Sequence, residues 1–269
     1  MSTPPAPAVG PMIRAWRSSR GKSQLALALE AGVSTRHLSF VETGRASPSR
    51  EMILTLAEHL DVPLRDRNAL LEAAGYAAAF RETPLDAAAM SEVRAALAHI
   101  LEASEPNPAL VVNRRYDVLL ANAAAVELLA FFAPRWRGKN NVARMLLSDE
   151  GLKPAVANWP EAAGHVVRRL RGELSAGARD AEDDEVLALA NAAHAALSPE
   201  HAAHAARPPR VLVPVTLRRG DFVVDLFTTI TTLGTPLDIT LQELRIETFF
   251  AATAASKDAL AIVTRGGVD

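Results

Sequence analysis

The feature that most constrains this chain is a change in hydrophobic period near Pro106. Before it, apolar residues recur at three- and four-residue spacing: Ile13 with Trp16; Leu25, Ala28 and Leu29; Leu38 with Val41; Ile53, Leu56, Ala57 and Leu60; Leu64, Leu70 and Leu71. Beyond it, Leu110 to Val112, Tyr116 to Leu120, Val211 to Leu217, Phe222 to Thr232 and Leu244 to Phe249 read with period two. A spacing of 3.6 residues buries one helix face, whereas a spacing of two buries one strand face. The switch predicts an all-α unit followed by a unit built on a sheet.

Helix-start signals divide the first unit. Ser23 precedes Gln24, Ser34 precedes Thr35, and Ser47 with Pro48 opens a fourth piece, while Gly21, Gly32, Gly44 and the Asp61, Val62, Pro63 break separate the segments. Five helices are expected in residues 11–76, after a disordered lead-in over 1–10 and before an Ala-rich linker with a connecting helix over 77–106. In residues 107–269, Asn122 is expected to cap a helix and Ser256 to cap the last one. About five antiparallel strands should carry helices inserted between the second and third, an α+β layout. Arg218, Arg219, Gly220 and Asp221 suit a tight hairpin. Glu182, Asp183, Asp184 and Glu185 read as an exposed helix start.

Charge adds a second division. The formal net charge of −2 argues against a phosphate-rich partner only when averaged over 269 residues. Residues 11–50 hold Arg14, Arg17, Arg20, Lys22, Arg36, Arg45 and Arg50 against Glu30 and Glu42, a net +5 that leaves −7 for the remainder. The chain has no cysteine, which removes disulfide scaffolds, thiol nucleophiles, Cys-ligated zinc and iron–sulfur clusters. No apolar run suits a membrane span, and Met-Ser-Thr-Pro-Pro-Ala-Pro lacks the layout of a signal peptide, so a soluble, cytoplasmic protein is expected.

The stretch Glu-Ala-Gly-Val-Ser-Thr-Arg-His-Leu-Ser-Phe-Val-Glu-Thr-Gly-Arg, residues 30–45, reads as a helix-turn-helix. Gly32 supplies the turn and Val33 plugs the angle between the helices. With Ile13, Arg14, Arg17, Ser23, Gln24, Ser39, Glu42, Gly44 and Pro48, it resembles the XRE, or lambda-repressor-like, family. The resemblance implies a second helix lying in the DNA major groove with its N-terminal residues toward the bases. Thr35, Arg36, Ser39 and Phe40 are then the reading candidates, with Arg36 suited to guanine N7 and O6 and Phe40 to a thymine methyl. Ser34, Arg45, Ser47 and Arg50 are phosphate candidates. Gln24 resembles the family's backbone-touching glutamine, and Arg17 with Glu42 its internal ion pair.

Residues 34–45, 48–52 and 60–76, with Pro108 to Arg114, Asp117, Asn122, Asn141 and Trp159 downstream, are similar to the MmyB-like subgroup. That resemblance implies a C-terminal domain of PAS-like fold associated with fatty-acid binding. From the residues alone, Trp159, Val166, Leu170, Val213 and Phe227 are candidates for an apolar cavity between sheet and helices. Gly-x-Ser-x-Gly, phosphate-loop and His-Glu-x-x-His patterns are missing, and His194, His201 and His204 read as a solvated Ala-rich stretch. The expectation is a homodimeric transcription regulator of operator DNA, without cofactor or metal, modulated by a small fatty-acid-like ligand. The alternatives are a C-terminal domain that only dimerises and an enzyme with a DNA-binding appendage.

Overall fold

A computed structural model describes residues 9–174, 179–196, 214–234 and 236–264. The chain divides into two compact units, one of residues 1–82 with 236–242 and one of residues 83–235 with 243–269.

The first unit contains α1 (Val9–Ser19), α2 (Gln24–Glu30), α3 (Thr35–Glu42), α4 (Arg50–His59) and α5 (Leu64–Ala73). Ser23 and Ser34 sit at N-cap positions, where their hydroxyls accept from Ala26 N–H at 3.0 Å and His37 N–H at 3.1 Å, satisfying donors that have no partner inside the helix. The fourth helix starts later than Ser47 and Pro48 suggest. Its cap is Ser49, which accepts from Met52 N–H. Helix α1 already includes Val9 and Gly10, within the expected lead-in, and Gly10 is buried where α1 meets the end of α3. The core joins Ile13, Leu27, Leu38, Val41, Ile53, Leu56, Leu70 and Leu71. The Leu25, Ala28 and Leu29 stripe is only partly right. Ala28 is buried beside Leu27, while Leu25 and Leu29 are 67% and 81% exposed, because α2 is short and turns a single narrow edge inward.

Residues 236–242 pack as part of this unit. Ile239 N–H donates to the Arg81 carbonyl at 2.8 Å, and Gln242 Oε1 accepts from Leu64 N–H at 2.7 Å. Helix α5 has Pro63 at its cap position and no side-chain cap from its neighbours, so this distant glutamine supplies the missing acceptor.

The second unit contains α6 (Ser91–Ala103), β1 (Ala109–Val112), β2 (Val118–Ala121), α7 (Ala123–Phe132), α8 (Val142–Leu147), α9 (Trp159–Leu174), α10 (Ala181–Ala196), β3 (Val215–Arg219) and β4 (Phe222–Thr231). The chain then forms the short helix α11 (Ile239–Glu243), which belongs to the first unit up to Gln242, and the second unit ends with β5 (Arg245–Ala251) and α12 (Ala254–Thr264). All strand pairs are antiparallel, in the order β2-β1-β5-β4-β3. Opposed pairs Leu110 with Glu247, Glu247 with Ile230, Phe249 with Thr228, and Leu226 with Val215 define one face by alternation. Helices α7, α8, α9 and α12 cover that face through Leu128, Leu146, Val167 and Leu260.

Several local expectations shift. Tyr116 does not open β2 but stands in the preceding turn at φ +67°, where Asn113 Oδ1 accepts from the N–H groups of Arg115 and Asp117. Ser256 is inside the last helix. Thr253 Oγ1 accepts from Ser256 N–H as the cap, and the Ser256 hydroxyl accepts from Asp225 N–H. The acidic run is not wholly exposed, because Asp183 is fully buried and paired with Arg114. Asp180 Oδ1 accepts from Asp183 N–H while Asp183 Oδ2 accepts from Asp180 N–H, a reciprocal cap that draws the second acid inward. His201, His204 and residues 211–213 lie outside the described residues.

Candidate nucleic-acid interface and ligand cavity

The α2–turn–α3 element is fixed by backbone geometry and by one buried carboxylate. Gly32 has φ +66°, a conformation an L side chain resists, and Val33 N–H donates to the Ala28 carbonyl at 2.9 Å. Leu38, Val41 and Glu42 turn inward from α3. Glu42 accepts from Arg17 Nε at 2.6 Å and Nη2 at 2.9 Å, and from Gln24 Nε2 at 2.8 Å. Burial opposes its ionisation, but the bonds from Arg17 and Gln24 outweigh that and hold the carboxyl below the usual carboxylate range. Three helices, α1, α2 and α3, are thereby pinned at one buried point, which sets the angle at which α3 is presented.

The opposite side of α3 carries Thr35, Arg36, Ser39 and Phe40, with Arg36 exposed and the other three half-buried. The Arg36 guanidinium lies 5.4 Å and the Arg45 guanidinium 6.0 Å from the centre of the Phe40 ring. Phe40 thus draws two cations together through its π face. Arg45, Ser47 and Arg50 are exposed on the segment that follows. Ser34 uses its oxygen as a cap acceptor, which leaves its O–H proton available to a phosphate. Gln24 is half-buried, with its amide nitrogen committed to Glu42.

The second unit holds a partly open cavity of about 500 Å³ between the covered face of the sheet and its helices. Leu110, Leu217, Leu226, Ile230 and Phe249 line it from the sheet, and Leu128, Leu129, Leu146, Ala162 and Val166 from the helices. Its polar lining is Tyr116, His165, Arg169, Thr228 and Glu247. A mostly apolar cavity of this size with a few grouped polar side chains has the character of a small-molecule site.

The family described as MmyB-like transcription regulator ligand binding domain matches residues 93–262, well over half of the chain. The chain belongs to this MmyB-like family. A helix-turn-helix family matches residues 13–66 of the same chain. No curated protein matches it.

In this MmyB-like regulator, the cavity lies within the matched ligand-binding region. Val166 lines it. Trp159 stands beside it, donating from Nε1 to the Leu146 carbonyl at 2.8 Å, and Leu170 is fully buried in the adjoining core. Phe227 does not face the cavity, because alternation along β4 turns Leu226 and Thr228 inward and sends Phe227 to the other face, where it stacks on Phe250 at 5.4 Å. Val213 lies outside the described residues. Sequence reasoning missed the polar lining, and the signal that hid it is the reversed alternation of β5. Both faces of that strand are covered, with Ile246, Glu247 and Thr248 all buried, so charge does not mark the outward side. Among the described residues no group of acidic or histidine side chains could hold a metal ion, and no helix is long and apolar enough to cross a membrane.

Proposed function

We propose that this regulator binds operator DNA as a homodimer through α3, and that a small, largely apolar, fatty-acid-like molecule in the second unit controls that binding. The observation that carries the reading is the pairing of an exposed, cation-flanked α3 with a largely apolar cavity in one chain. Thr35, Arg36, Ser39 and Phe40 read base edges. Ser34, Arg45, Ser47 and Arg50 hold phosphates, and Gln24 braces the helix from below. The β2-β1-β5-β4-β3 order, with helices inserted between β2 and β3, supports the PAS-like description of the second unit. The open cavity favours a sensor over a domain that only dimerises around a filled core.

Two copies of α3 engage adjacent major-groove segments only when the half-sites lie about one DNA turn, roughly 34 Å, apart. Ligand occupancy acts by changing that geometry, a coupling that works equally in both directions. The test is a binding series on the operator found by mapping bound DNA. Arg36→Ala relaxes base preference by about 1–3 kcal/mol at one position, whereas Arg45→Ala weakens all sequences alike and lowers the salt slope by about 0.9. Unchanged specificity in Arg36→Ala overturns the assignment.

A further inference from the structure

Between β4 and β5, two strands of the cavity wall, the chain leaves the second unit and returns to it. Residues 236–242 belong to the first unit, and Glu243 onward to the second. Within the first unit, Asp238 bridges Arg81 as a parallel pair, Ile239 N–H donates to the Arg81 carbonyl at 2.8 Å, and Gln242 Oε1 accepts from Leu64 N–H at 2.7 Å. The last of these bonds grips α5, whose Leu70 and Leu71 share one core with Ile13 of α1 and with Leu38 and Val41 of α3. Helix α11 is little more than one turn, capped by Asp238, whose Oδ1 accepts from Thr240 N–H at 2.9 Å. It runs into β5 through the buried Leu244, so no slack loop separates Gln242 from the strand.

The return side of this segment is tied to the cavity twice. Glu247 and Phe249, which line the cavity, lie five and seven residues beyond Gln242. Glu243 lies 3.7 Å from the buried Arg114, which also pairs with Asp183. Arg114 shares a turn with Tyr116, a cavity residue at φ +67°, a conformation that a bulky side chain holds only under constraint. The Tyr116 hydroxyl is buried without a hydrogen-bond partner. A molecule that pairs with it favours the arrangement of the turn that presents it, and so bears on Arg114, Glu243 and β5 together.

We infer that residues 236–244 carry the state of the cavity to the helical unit, and that Gln242 is the positioning residue through which they grip it. The inference rests on the cavity being the ligand site. Occupancy changes how Glu243 and β5 hold the end of α11, and the bond from Leu64 N–H to Gln242 passes that change to the start of α5. The coupling needs only two states of one short segment, gripped and released.

The experiment is hydrogen exchange of the full chain read by mass spectrometry, with and without saturating decanoate, saturation being established by calorimetry. In wild type, decanoate should change the protection of amides in 64–70 and 236–243 by about fivefold or more, the lower end of an allosteric coupling. Gln242→Ala should hold decanoate within about twofold of the wild-type affinity, as a site remote from the ligand does, yet lose the change at 64–70. Gln242→Glu keeps an acceptor oxygen for Leu64 N–H and should restore that change. A glutamine that only caps α5 lowers protection at 64–70 in Gln242→Ala but leaves the response to decanoate as it was. That persistence overturns the inference, as does bound decanoate that leaves 64–70 unaltered in wild type. Failure of Gln242→Glu to restore the response overturns the assignment to Gln242. If calorimetry shows no decanoate binding, the ligand-site reading itself fails and the inference with it.

Discussion

Replacing Gly10 with Ala separates two opposite expectations. In a helix, Gly→Ala is ordinarily stabilising, by up to about 1 kcal/mol, because alanine loses less backbone freedom on folding. Here a Cβ on residue 10 falls 2.2 Å from the Val41 carbonyl oxygen and 3.0 Å from that of Glu42. Both obstacles are backbone atoms at the end of α3, so no side-chain rotation relieves the contact. Helix α1 must retreat by about 1 Å, loosening Ile13 in the same interface. Overpacking of this kind costs about 1–3 kcal/mol, and a backbone obstacle belongs at the upper end. Against the propensity gain, the net is a loss of about 2 kcal/mol. Hydrogen exchange of the full chain, followed by mass spectrometry, should show α1 and α3 amides losing about 30-fold in protection. Operator affinity should fall with it, since the displaced element packs against α3, the helix proposed to read DNA. Equal or greater protection in Gly10→Ala would show that α1 and α3 do not approach so closely, and would remove the steric argument for glycine at that position.

Four further outcomes follow from particular contacts. Glu42→Gln strips the charge from the Arg17, Gln24 and Glu42 junction and should destabilise the first unit by about 3–5 kcal/mol in urea unfolding, the range for a buried pair losing one partner. In wild type, the lowered Glu42 carboxyl adds stability that is present above its unfolded value of about 4.3 and is lost as pH falls through its lower folded value. Glu247 has the opposite sign: its folded value is raised, so its charge detracts from stability above pH about 4.3, and Glu247→Gln should stabilise the second unit at neutral pH but not in acid. Asp183→Ala removes the nearer of the two carboxylates on buried Arg114, leaving Glu243 at 3.7 Å, and should cost about 3 kcal/mol in the same unfolding assay. Val166→Trp fills the cavity, and an added ligand should no longer raise the melting temperature.

Hydrophobic period was enough to separate an all-α unit from a five-stranded antiparallel unit, and to put the inserted helices between β2 and β3. Short polar residues before helices were equally readable at Ser23, Ser34 and Asn122, because an N-cap is a local arrangement. The failures share a different cause. Leu25 and Leu29 obey helical spacing yet face outward, since spacing defines a stripe without saying what stands opposite it. Asp183 looks like one more surface acid until Arg114, 69 positions earlier, arrives beside it. The inward face of the sheet was undecidable because alternation marks two faces without saying which one the helices cover, so Phe227 and Leu226 carry equivalent local signals. Tyr116, His165, Arg169 and Glu247 come from a turn, a helix and a strand widely separated in the chain, and only tertiary folding brings them together.

The bond from Leu64 N–H to Gln242 bears on how this protein can be dissected. The helical unit is discontinuous in sequence: residues 9–82 supply its five helices, but an acceptor at the start of its fifth comes from 178 positions downstream. A fragment ending at Glu82 would expose that donor to water and lose the Arg81 carbonyl's partner in the same cut. Swapping this reader onto another sensor therefore requires carrying residues 236–242 as well. A recombination boundary chosen from the helix count alone would leave part of the module behind.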